Sequence, residues 1–192
     1  MKPPLVLEEF VAACRSAVDT GTDVPRAIAG LLRELIAEPD ALAAAVPAFA
    51  DAEVETSALG FRLGGEAVLH QAPDLTVMVL DTLPGVVQPP HDHAMNAFIG
   101  VFAGCEEQRF WTRTGGGVEA TTGRRLEAGE MVALGQRAIH AISSPTGESA
   151  RAVHVYLGDI YAVERSVFDP DTMDEHPMTS ERYDRFCRAA SS

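Results

Sequence analysis

Three histidines define the chemistry open to this sequence. His91 and His93 stand one residue apart in Pro90-His91-Asp92-His93, and His140 closes the glycine-punctuated stretch Gly135-Gln136-Arg137-Ala138-Ile139-His140. Side chains alternate faces along an extended strand, so His91 and His93 project from one side. Neutral imidazole is a common metal ligand. Together the three could take one face of an ion and leave the opposite face open, the property that separates a catalytic metal site from a closed structural one. Imidazole suits iron, zinc, copper or nickel, so the donor type leaves the metal open. The plain alternative for His91 and His93 is a pair of half-exposed strand residues.

Strands must carry these residues. Segments 67–70, 75–80, 98–102, 106–112, 131–134, 139–142 and 152–157 read as short strands, and Ala72-Pro73-Asp74 reads as a turn between the first two. Short strands separated by Gly, Pro and Ser turns predict an all-β sandwich or barrel. Gly115-Gly116-Gly117 reads as a loop tip. Two helices precede the strands. Leu7, Phe10, Val11, Cys14 and Val18 form one apolar stripe, ended by Thr20-Gly21-Thr22, and Ile28, Leu31, Leu32, Leu35 and Ile36 form the next. Asp23 is the expected N-cap of the second helix, with Pro25 in its first turn. Pro39-Asp40 breaks that helix, and the Ala-rich 41–46 adds a short one. The expected organisation is a helical segment over 1–50, a barrel over 51–168 and a polar surface tail over 169–192, weakly helical near Glu181–Ala190.

A formal net charge of -13 over 192 residues argues against nucleic acid or an anionic membrane as partner, since both require Lys and Arg opposite phosphate. Cys14, Cys105 and Cys187 are odd in number and far apart, which fits neither a disulfide framework nor a Cys-x-x-Cys site and suits a reducing compartment. No signal-like layout opens the sequence and no apolar run reaches membrane-span length, so a cytoplasmic location is expected.

The histidine segments resemble the two motifs of the cupin double-stranded β-helix. Gly85, five residues, then His91 and His93, and a closing Gly104 match the first motif, with Ala97 at the place of its Glu. Gly129 and His140 match the second at the right spacing, with Gly135, Arg137 and Ser144 at the places of its Pro, Gly and Asn. The resemblance implies an all-β cupin jelly-roll barrel with N-terminal α-helices and a site of three histidines without the usual Glu. A cupin that keeps its fold without metal is the alternative.

From about Ala67 to Phe168 the sequence is similar, more narrowly, to the cysteine dioxygenase superfamily, and in texture to bacterial thiol dioxygenases such as those acting on mercaptopropionate. Pro90–His93, Ile99-Gly100-Val101, Gly104, Ile139-His140-Ala141 and Val153-His154-Val155-Tyr156 carry the likeness. It implies Fe(II) on His91, His93 and His140, with Ni, Zn or Mn as other candidates, and a small thiol oxidised by O2 to a sulfinate. It also implies a Ser-x-His-x-Tyr set beside the metal, of which His154 and Tyr156 remain and Ala152 replaces the Ser. Met95 and Asn96 fill an aromatic or His position, and Asn96 is a candidate polar contact to substrate. The Arg that clamps a substrate carboxylate in that family aligns near Glu66. Arg62 or another Arg is expected to take its place, or else Glu66 faces the pocket and favours an amine or neutral substrate.

The other histidines, His70 and His176, read as satisfied or solvated. Cys105 reads as a small buried hydrophobe, and Phe110 with Trp111 as barrel packing beside exposed Arg109 and Arg113. A small-molecule substrate and O2 are the expected partners, and the chain is expected to be a monomer or homodimer. Two rivals remain: another metal-dependent cupin enzyme, such as a carbon–carbon-cleaving dioxygenase, and a non-catalytic cupin that binds a small ligand.

Overall fold

The computed structural model describes residues 4–50, 53–56, 60, 62–145, 147 and 149–190. Helices α1 (Leu5–Thr20), α2 (Val24–Leu35) and α3 (Pro39–Ala45) come first. The stripe of α1 buries Leu7, Phe10 and Cys14. The helix stops at Gly21, whose φ of 67° lets its N–H reach the carbonyls of Ala17 and Val18, a conformation cheap only without a Cβ. Asp23 departs from expectation. It is left-handed, with φ 44°, and makes no side-chain cap. A capping carboxylate needs extended backbone to reach the amides of the first turn. Pro25 lies in that first turn as expected, and Pro39 opens α3.

The short β1 (Glu55–Thr56) and β2 (Arg62–Gly64) pair with each other. Next come β3 (Glu66–Ala72), β4 (Leu75–Thr82), β5 (Val86–Val87), β6 (His91–Asp92), β7 (Ala97–Ala103) and β8 (Cys105–Thr114). Then β9 (Gly117–Ala120), β10 (Arg124–Glu127), β11 (Met131–Leu134), β12 (Ile139–Ser143), β13 (Ala150–Tyr156) and β14 (Ser166–Phe168) follow. Finally β15 (Glu175–Pro177), α4 (Ser180–Phe186) and β16 (Arg188–Ala189) close the described chain. One sheet has the order β11-β7-β13-β4-β3; the other runs β10-β8-β12-β6-β14-β15, with β5 on β12, β16 on β5 and β9 on β8. From β4 onward the chain crosses repeatedly between the sheets: β5 and β6 lie in the second, β7 in the first, β8 in the second, β11 in the first, β12 in the second and β13 in the first.

Strand alternation divides the apolar side chains into two cores. Val77, Val79, Phe98, Phe102, Val153 and Val155 face the helices and pack on residues such as Leu7, Ile28 and Leu32. Their neighbours in sequence, including Met78, Ile99, Val101, Ala152 and Tyr156, meet Leu126 inside the barrel. Each fully buried aliphatic side chain is worth about 1.5–3 kcal/mol, so the helices are an integral layer. Gly104 turns β7 into β8 with φ 65°, and a Cβ there would lie 2.4 Å from the Ser149 carbonyl oxygen.

Residues 169–190 are not a loose tail. β15 pairs with β14, β16 pairs with β5, and Phe186 and Cys187 are buried. Tyr183, Phe186 and Cys187 recur at helical spacing, a small apolar face that the polar composition of the segment hides. Thr179 caps α4 by accepting from the Arg182 N–H at 3.2 Å. Among the described residues no helix is long and apolar enough to cross a membrane.

Candidate metal centre

β6 and β12 are antiparallel neighbours, and His140 lies directly opposite His91. His93 falls one residue past the end of β6, where the chain turns at Ala94 with φ 54°, a conformation that costs a non-glycine residue about 1 kcal/mol. The turn still brings His93 to the other two. Ring centroids lie 4.6 Å apart for His91 and His140, 4.9 Å for His93 and His140, and 5.1 Å for His91 and His93. The candidate donor atoms of His91, His93 and His140 all lie within 4.8 Å of one another, and each residue is buried. No carboxylate joins the group among the described residues. Ala97, at the place of the motif's Glu, is packed inside the barrel.

Hydrogen bonds prepare two of the rings for a metal. His91 Nδ1 donates to the Pro89 carbonyl at 2.9 Å, and His140 Nδ1 donates to Gln108 Oε1 at 2.7 Å. Both protons then sit on Nδ1, and the Nε2 lone pairs remain available. His140 Nε2 is buried with no protein partner, an arrangement a divalent cation resolves. Burial pushes the His91 pKa down to about 4 and holds His93 and His140 well below the ordinary value, so all three imidazoles are neutral at neutral pH. Neutral imidazole is the ligating form. The residues therefore fit a divalent metal.

Asp92, between two ligands, faces the other way. Its carboxylate accepts from Arg113 at 2.6 Å and from the Ser166 N–H at 2.9 Å. Arg113 also pairs with Glu175 at 2.7 Å. Arg113, expected to be exposed, instead ties β6, β8 and β15 together. Asp92→Ala is expected to lower stability by about 3 kcal/mol, because it strips a buried carboxylate from a partly buried guanidinium and an amide. Thermal denaturation of the metal-free protein checks this.

A cavity of about 360 Å3 opens onto the triad. His154 and Tyr156 line it. The Tyr156 hydroxyl and His154 Nδ1 share a hydrogen bond at 2.9 Å, and His154 Nε2 is buried without a partner. Burial raises the Tyr156 pKa and lowers that of His154 to about 3, so both stay neutral.

The candidate substrate residues separate. Glu66 lines the cavity and accepts from the Tyr161 hydroxyl. Arg62 is exposed on β2, and Asn96 is half-buried, with its backbone carbonyl accepting from the Leu157 N–H at 3.0 Å; neither lines the cavity. Arg165, which the sequence did not single out, does line it. It is half-buried, its side chain has no hydrogen bond or ion pair among the described residues, and its charge adds to burial in lowering the pKa values of His91 and His93 while opposing the rise that burial gives Tyr156. Arg165 sits in an irregular loop before β14, where no periodicity signals which way a side chain faces. Tyr183 also reaches the cavity, with its hydroxyl 2.5 Å from Gln88 Oε1. Cys105 is buried away from the cavity, as expected. His70 is half-buried and outside it, and His176 packs on Phe186 at 5.6 Å, so it is not simply solvated.

Strands that cross repeatedly between two facing sheets and enclose a three-histidine site decide the fold. It is a cupin barrel. No protein-family model matches the sequence. Among solved structures, the DMSP lyase DddQ from Ruegeria pomeroyi DSS-3 is similar over 64% of this chain and 60% of its own, with 18% identity and a TM-score of 0.48. An 11S globulin from Wrightia tinctoria is similar over 62% of this chain and 30% of its own, with 9% identity and a TM-score of 0.48. A variant of Bacillus subtilis oxalate decarboxylase is similar over 58% of this chain and 29% of its own, with 13% identity and a TM-score of 0.44. The chain spans under two thirds of each of those proteins, and the likeness is one of chain trace.

Proposed function

We propose that the protein is a mononuclear non-heme Fe(II) dioxygenase that oxidises a small thiol carrying an acidic group. The observation that carries the reading is the pairing, in one cavity, of three neutral ligands with an unpaired guanidinium. A divalent cation held only by imidazoles keeps its full charge in a buried site, so an anionic ligand such as a thiolate is strongly favoured there. Arg165 supplies a fork for a second anionic group. Iron, when bound, supplies the redox chemistry that couples O2 to the substrate sulfur.

The chain's own residues do the rest. Arg165 orients the acid, and its bond to substrate is made throughout the reaction. Met78, Leu80, Ile142 and Ile160 line the same cavity and exclude water from it. With the Tyr156 hydroxyl donating to His154 Nδ1, the ring proton would stand on Nε2, ready as a donor to the reacting groups. Glu66 stands with one oxygen engaged by Tyr161, which leaves it a weaker candidate than Arg165 for choosing the substrate.

Oxygen uptake after anaerobic loading with Fe(II) tests the reading. Thiols with a carboxylate are expected to be consumed, and amine thiols, diketones and buffer are not. Arg165→Met is expected to raise KM for the acid roughly 10- to 100-fold with a much smaller change in kcat, as for loss of one charged hydrogen-bonded contact. Uptake with amine thiols alone, lost in Glu66→Ala, reassigns specificity to Glu66. Uptake with diketones alone makes the protein a carbon–carbon-cleaving dioxygenase, and no uptake at all leaves a binding protein.

A further inference from the structure

β8 carries two polar residues into the barrel where apolar ones are the rule. Glu106 and Gln108 share a strand face and are 0% and 1% exposed. Gln108 lies opposite Ile142 on β12, which makes it the diagonal neighbour of His140. Its Oε1 receives the His140 Nδ1 proton, and its Nε2 donates to Glu106 Oε1. Glu106 Oε2 is buried with no partner. Burying a carboxylate with one oxygen bare is costly, and nothing in the packing of the barrel calls for it.

An amide has nearly the same shape either way round, but its two ends have opposite roles. If Gln108 turned its NH2 toward His140, Nδ1 would accept, the proton would move to Nε2, and that nitrogen could no longer bind a metal. An ionised carboxylate only accepts, so it claims the NH2 end. We infer that Glu106 is a positioning residue that acts through Gln108 to hold His140 in the Nδ1–H tautomer, with the Nε2 lone pair free for the metal. This inference rests on the three-histidine metal centre and not on the thiol chemistry. The relay Glu106–Gln108–His140 selects a tautomer before any metal arrives, so it is a property of the metal-free protein as well.

Nitrogen-15 NMR of the histidines in the full-length metal-free protein reads the tautomer directly, and Co(II) titration reads the affinity. Both are done near pH 8, above the value of about 7 to which burial lifts Glu106. Wild type is expected to show His140 as Nδ1–H. Glu106→Gln, which keeps the shape but can offer either end of an amide, is expected to give a mixture of tautomers and roughly tenfold weaker Co(II) binding. The exchange Glu106→Gln with Gln108→Glu places the carboxylate against His140 and a donor amide behind it, and is expected to restore both. Wild-type tautomer and affinity in the single variant overturn the inference, as does an exchange that restores neither. Wild type that shows the expected tautomer but binds no Co(II) refutes the metal centre and leaves the relay standing.

Discussion

His140→Ala is expected to leave a folded barrel that no longer holds a divalent metal at stoichiometric concentration. The imidazole is one of three donors that converge within 4.8 Å, and its Nε2 has no other partner. Full structural metal sites are worth roughly 10–16 kcal/mol with four ligands, so one donor in such a site corresponds to about 3 kcal/mol, or a loss of roughly two orders of magnitude in affinity. Thermal denaturation with and without Co(II) or Fe(II) separates binding from folding. A ligand at a thousand times its Kd adds about 4 kcal/mol to the folded state. Wild type should gain most of that, and His140→Ala almost none. A variant that retains one metal per chain and the full thermal shift would falsify the assignment of His140 as a ligand, and with it the three-histidine centre.

Acidification should destabilise the metal-free protein steeply below pH 6.5. His91 falls from an ordinary 6.5 to about 4 and His154 to about 3, both chiefly because burial penalises the charged ring. A depressed pKa means the unfolded chain takes up its protons first. The stabilising contribution is therefore complete above pH 6.5 and drains away as the pH falls toward 4 and then 3. At about 1.4 kcal/mol per unit, His91 alone accounts for about 3 kcal/mol by pH 4. His93 and His140 shift in the same direction. Glu106 works the other way. Burial raises it from 4.5 to about 7, so its contribution is present below pH 4.5 and lost as the pH rises through 7. Four buried imidazoles outweigh one carboxylate. The melting temperature should peak near neutrality and drop several degrees by pH 5, and Glu106→Gln should steepen the fall by removing the opposing contribution. A melting temperature that holds from pH 6.5 to 4.5 contradicts this account.

The ligands could be read from the sequence because they obey local rules. His91 and His93 share a parity, and the glycine spacing around His140 places it on the strand that becomes the neighbour of β6. The strands and the first two helices were legible for the same reason, since alternation and helical stripes are short-range patterns. Features that depend on tertiary contact were not legible. Asp23 has the right residue type for a cap but the wrong backbone for one. Arg165 projects from a loop without periodicity, and only the meeting of that loop with the barrel mouth reveals it. Glu106 and Gln108 sit among charged neighbours on β8, where polar residues at strand spacing read equally well as an exposed face. Residues 169–190 are too polar on average to announce that they pack. His93 reaches the site from a turn just past β6 and not from the strand itself, so tertiary contact completes what strand parity begins.

The rim of the cavity has a consequence for how fast a ligand arrives. Glu55, Glu66 and Asp184 line it beside Arg165, on a chain whose formal charge is -13. A small anion therefore meets net repulsion that reaches out about a Debye length from the surface, about 8 Å at physiological ionic strength, and is drawn in only near the guanidinium. The rate of encounter should rise with added salt while the equilibrium hold of Arg165 weakens. That is the reverse of ordinary electrostatic steering. Capture on this barrel would be governed by ionic atmosphere as much as by shape.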